Sequence, residues 1–107
     1  PKGSADTAIQ NSLGLAVQAL IADIARAIGV DASTKGLVIA AASGNSDAGR
    51  KGIRRGDVIV SANRTPVTSS DALAKVLADA KSAGRDAVLL EILRRGGPSA
   101  FIAIRIR

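Results

Sequence analysis

The chain has 107 residues, 47% of them hydrophobic and 1% aromatic, and carries a net charge of +6 from 15 Lys and Arg against 9 Asp and Glu. That length fits one domain with a buried core, and Phe101, the single aromatic residue, gives single-stranded nucleic acid no series of stacking platforms. Cys and His are absent, which excludes disulfides, thiol nucleophiles, His-based triads and the usual zinc sites within this chain.

The basic residues are scattered in pairs (Arg50-Lys51, Arg54-Arg55, Arg94-Arg95), which fits a solvated surface better than a phosphate-binding block. No apolar run is long enough to span a bilayer and no signal peptide is present, so neither membrane insertion nor nucleic acid is expected. The protein is then either cytosolic or a piece of a longer exported chain.

Residues 1–11 are mostly small and polar, with Ile9 the only large apolar side chain, and are expected to form a linker or disordered tail. The domain is placed at residues 12–107. Ser12-Leu13-Gly14-Leu15 then forms a turn running into a strand that continues to Leu20. The amides of Leu13, Gly14 and Leu15 are expected to converge on one concavity, an arrangement that binds a carboxylate. Leu13, Leu15 and Val17 share one strand face. An anion-binding turn leading into such a strand suits capture of a peptide C-terminus.

Ile21, Ile24 and Ile28 recur at helical spacing and Gly29 stops the helix. Residues 30–35 are a loop and 36–42 a strand. Asn45 or Ser46 caps one helical turn over Asp47–Arg50. Gly49 weakens that turn by about 0.5–1 kcal/mol relative to Ala. Arg54–Asp57 turns the chain, Val58–Ala62 is a strand, and Asn63-Arg64 turns it again into a short extended piece at Thr65–Val67. Thr68, Ser69 or Ser70 caps the longest helix, from about Ser70 to Ser82, whose apolar face is Leu73, Val76, Leu77 and Ala80. Strands at Ala87–Leu93 and Ala100–Arg107 follow, joined by a turn at 94–99, with Ile102, Ile104 and Ile106 inward. The fold class is α+β, mainly β: a small antiparallel sheet or partly open barrel closed by two or three helices.

Leu13-Gly14-Leu15, Gly36-Leu37-Val38-Ile39, Gly52-Ile53-Arg54-Arg55-Gly56-Asp57-Val58-Ile59 and Asn63-Arg64-Thr65-Pro66-Val67-Thr68-Ser69 together resemble a PDZ domain of the bacterial, circularly permuted arrangement. They are most similar to the C-terminal (second) PDZ domain of HtrA/DegP-type serine proteases, over about residues 13 to 107. Family members often have Pro after the Ser of the short helical turn; here Asp47 follows Ser46. The resemblance implies that the carboxylate-binding loop is Ser12, Leu13, Gly14 and Leu15. It implies a peptide groove of Ala16, Val17, Gln18, Ser70, Leu73, Ala74 and Leu77, into which a peptide adds as a strand. Ser70 is the position where some eukaryotic relatives use His. The resemblance also implies a periplasmic parent whose catalytic triad lies outside this chain.

Asp57 with Ser61, or Asp71 with Ser70, lacks a base suited to activate a nucleophile, and Lys75 and Lys81 are assigned to the exposed side of the long helix. The glycines match no phosphate-binding motif. The expected function is therefore a non-catalytic module that takes apolar C-terminal or extended peptide segments, without cofactor or metal. Its partners are such peptides, unfolded segments and other domains of the parent protease. The alternative is an oligomerisation element that docks on another PDZ or protease domain with its groove unused. A third reading, binding to anionic lipid or nucleic acid, rests on the net charge alone.

Overall fold

A computed structural model describes residues 9–30, 35–44, 46–93 and 99–106. Residues 9–13 form a helical segment, α1. Then follow β1 (Leu15–Ala19), α2 (Ala22–Ile28), β2 (Leu37–Ala42), α3 (Asp47–Arg50), β3 (Val58–Ala62), β4 (Thr65–Pro66), α4 (Ser70–Ser82), β5 (Ala87–Leu93) and β6 (Ala100–Arg105). The strands form one sheet in the order β1-β2-β3-β5-β6, with β4 paired to β3. All pairings are antiparallel, and the sheet does not close.

Local chemistry explains the element ends. Ser46 caps α3 by accepting the Gly49 N–H, and Ser69 caps α4 by accepting the Ala72 N–H, both at 3.1 Å. Asn63 and Arg64 both adopt positive φ, 50° and 65°, which gives the tight turn between β3 and β4 the twist of its strands. The Asn63 side chain accepts the Leu89 N–H at 2.9 Å and fastens that turn to β5. Asp57 acts as a turn residue, its Oδ2 accepting the Arg54 N–H at 3.0 Å.

The core lies between one face of the sheet and α4. Leu15, Val17, Leu37, Ile39, Ile59, Leu90, Ile92 and Ile104 meet Leu73 and Leu77 there. On β6, Ile104 is fully buried and Ile102 and Ile106 are half-buried, while Phe101, Ala103 and Arg105 face solvent, as alternation requires.

Two expectations change. Residues 9–11, assigned to a tail, are helical, and Ile9 is fully buried in the core. Its flanking polar residues concealed it, although Leu13, four residues on and so on the same helix face, is buried with it. In α2, Ile21 lies before the helix and is 56% exposed, Ile24 and Ile28 are half-buried, and only Ala25 is buried. The isoleucine spacing correctly indicated a helix, but that helix covers β2 loosely, leaving a cleft of about 360 Å³. The expected turn at 94–99 and Arg107 fall largely outside the described residues.

Candidate functional site

The direction of each backbone group on β1 follows from its register. The Gly14 carbonyl accepts the Ser43 N–H at 2.8 Å and the Leu20 N–H donates to the Gly36 carbonyl at 3.1 Å, so even-numbered residues face β2. The irregularity between the strands is an extra residue, Ala40, on β2: Ala16 pairs with Ala41 and Val17 with Ile39. Parity along β1 is therefore undisturbed. The N–H and C=O groups of Leu15, Val17 and Ala19 point off the sheet, and none has a partner among the described residues.

The opposite edge is blunted. The Arg105 N–H, on the outer row of β6, donates to Asp47 Oδ2 at 2.9 Å, and Lys51 donates to the Ala103 carbonyl. Asp47 and Lys51 also pair with each other at 3.1 Å. Accepting the Arg105 N–H, and secondarily the bond with Lys51, holds the Asp47 carboxyl below the usual aspartate range. Side chains of α3 and of its C-cap residue Lys51 thus occupy part of the β6 edge, a common way to keep a strand edge from pairing. The β1 edge has no such cover among the described residues.

Helix α4 stands beside the open edge. At about 100° per residue, Ser70, Ala74, Leu77 and Lys81 fall within one narrow stripe. Ser70 and Ala74 are half-buried, whereas Leu73 and Leu77 are buried. Leu13, Leu15 and Val17 are buried as well. The expected lining residues therefore come together, but as packed core, and α4 rests against β1. Ala16 and Gln18 do not join them. Alternation turns their side chains to the other sheet face, where Ala16 lines an open cavity of about 760 Å³ with Gln10, Asn11 and Ser43, and Gln18 lines the cleft beside α2.

The loop also differs from expectation. Gly14 has φ 72°, the left-handed conformation that ends α1, and its N–H donates to the Gln10 carbonyl at 2.8 Å. Leu13 is the last residue of α1, so its N–H points back along the helix. Of the three amides expected to converge, Leu15 alone directs its N–H outward. One polar contact was missed: Lys81 Nζ donates to Ser12 Oγ at 2.7 Å, joining the last turn of α4 to the loop. Its position four residues after Leu77 carried that signal.

Elsewhere, Ser61 Oγ donates to Glu91 Oε1 at 3.0 Å and Ser99 Oγ to Glu91 Oε2 at 2.7 Å, a hydrogen-bonded bridge across β3, β5 and the start of β6. Among the described residues no helix is long and apolar enough to cross a membrane.

The family model for the PDZ domain matches residues 13–101. The chain is 37% identical over 93 residues to a probable periplasmic serine endoprotease DegP-like of Rhizobium meliloti (strain 1021), covering 87% of this chain and 18% of that protein. It is 42% identical over 72 residues to the protein of the same description from Brucella suis biovar 1 (strain 1330), covering 67% of this chain and 14% of that one. The chain thus spans under a fifth of either relative's length. Among solved structures, the HtrA3 PDZ domain bound to a phage-derived ligand (FGRWV) superposes with a TM-score of 0.69 at 23% identity, covering 89% of this chain and 83% of that chain. The HtrA-type protease AlgW with decapeptide also gives 0.69 at 23% identity, covering 90% of this chain and 29% of that one. Residues 13–101 are most of the chain, so what it carries is a PDZ domain rather than a catalytic domain, and the chain belongs to the PDZ domain family, with DegP-like serine endoproteases among its relatives.

Proposed function

We propose that this chain is a non-catalytic peptide-binding module that takes an apolar C-terminal segment as an added strand between β1 and α4. It serves substrate recognition or regulation for a periplasmic serine protease. The observation that carries this reading is the outer row of Leu15, Val17 and Ala19, unpaired among the described residues, beside a helix, in a sheet whose other edge is partly covered. An antiparallel peptide would run its C-terminus toward Leu15 and exchange backbone hydrogen bonds with the odd-numbered residues. Its terminal side chain would enter between Ala74 and the leucines of the core, which requires α4 to move off β1. Ser12–Leu15 would receive the carboxylate through the Leu15 N–H. The named bound peptides of the HtrA3 and AlgW structures support the same reading.

Calorimetric titration with a short peptide ending in Val or Leu tests it, alongside versions N-methylated at alternate amides. Binding that is lost when the methyl sits on an amide facing β1, and kept when it sits on the next one, is expected. No binding, or loss at both positions alike, contradicts strand addition.

A further inference from the structure

The Gly14 N–H is committed to the Gln10 carbonyl, which leaves the loop short of donors for a carboxylate. A cation stands at the same place. Lys81 reaches across from α4 to the buried Ser12, and its ammonium spends one of three N–H donors on Ser12 Oγ. No carboxylate lies within ion-pair distance of Lys81 among the described residues. Its own helix offers none: the residues three and four positions earlier are Ala78 and Leu77. Lys81 shares the stripe of Ser70, Ala74 and Leu77, so it closes the end of the groove where Leu15 presents the first outward N–H of β1.

We propose that Lys81 is the cation that receives the ligand's terminal carboxylate, with Ser12 holding its ammonium at the end of the groove. This rests on the peptide-binding reading above. Through Ser12, Lys81 brings its remaining N–H groups from α4 to the loop that leads into the outward Leu15 amide, and charge-assisted bonds to a carboxylate are stronger than neutral ones. The alternative is that Lys81 only ties α4 to the loop, where a cation also suits the helix C-terminus.

The test compares the free-acid and amidated forms of one peptide on wild type, Lys81→Gln and Lys81→Arg, with thermal melting to verify that each is folded. Lys81→Gln is expected to weaken the acid form by about three- to tenfold, leave the amide form unchanged and flatten the salt dependence of acid binding. Lys81→Arg should retain most of the acid preference. A tie between elements would move both forms alike, so equal losses, or an unchanged acid form, overturn the assignment. If wild type binds neither form, the peptide-binding reading itself falls and this assignment falls with it; if wild type binds both and Lys81→Gln does not separate them, only the role of Lys81 fails.

Discussion

The Asp47 carboxylate and the Arg105 backbone N–H are 2.9 Å apart, a hydrogen bond that ties the first residue of α3 to the outer row of the last strand. It leaves β1 as the edge with all its outward groups free among the described residues.

The tie should be sensitive to acid. The folded state holds the Asp47 pKa below its ordinary value, first through the Arg105 N–H and then through Lys51. A carboxylate with a depressed folded pKa contributes stability above its unfolded pKa, and that contribution is lost as pH falls through the folded value. Thermal midpoints measured from about pH 7 to about pH 2 should therefore fall less steeply for Asp47→Asn than for wild type. Parallel curves would show that this contact does not couple to stability.

Gly49 supplies a second prediction. Helix propensity alone says that Gly49→Ala should stabilise α3 by about 0.5–1 kcal/mol. In the structure a Cβ at Gly49 would lie 2.2 Å from the Ser43 carbonyl oxygen, a backbone atom that cannot swing aside. Gly49→Ala should therefore destabilise the protein, by about 1–3 kcal/mol in urea unfolding. Gly44→Ala, where a Cβ meets nothing within 4 Å, is the control and should change little. A stabilised Gly49→Ala would mean that α3 sits farther from Ser43 than described.

Groove specificity is best probed at Ala74. Leu77 is 2% exposed, so Leu77→Ala should remove about 2–5 kcal/mol of stability and confuse binding with folding. Ala74 is half-buried in the same stripe, and Leu is a good helix former. Ala74→Leu should narrow the space for the ligand's last side chain and shift preference toward smaller terminal residues. Affinities for one peptide series varied only at its terminus measure this, and an unchanged ranking would remove Ala74 from the groove.

The same residues show what the sequence could and could not disclose. Alternation in β6, the serine caps and the Leu73–Leu77 face were legible because each depends on neighbours a few positions away. The role of Gly49 was not, since its reason is a carbonyl in another segment. The Gly14 amide was misread for a related cause: whether a loop N–H is free depends on the preceding residues being helical, and a short polar segment anchored by Ile9 gives little sign of that. Lys81 was assigned to the exposed side of the helix, and it is exposed; what went unread is that its spacing from Ala74 and Leu77 also puts it on the groove stripe, within reach of Ser12.

The central claim is that the outer row of β1 is the docking edge, and amide hydrogen exchange followed by NMR tests it most directly. In the free protein the amides of Leu15, Val17 and Ala19 should exchange faster than those of Gln18 and Leu20, which face β2. Addition of a free-acid peptide ending in Val or Leu should protect Leu15 and Val17, while Gln18 and Leu20 change little and Ala103 and Arg105 on β6 do not respond. Protection that appears on β6 instead, or a bound peptide that leaves Leu15 and Val17 exchanging as before, would contradict the account.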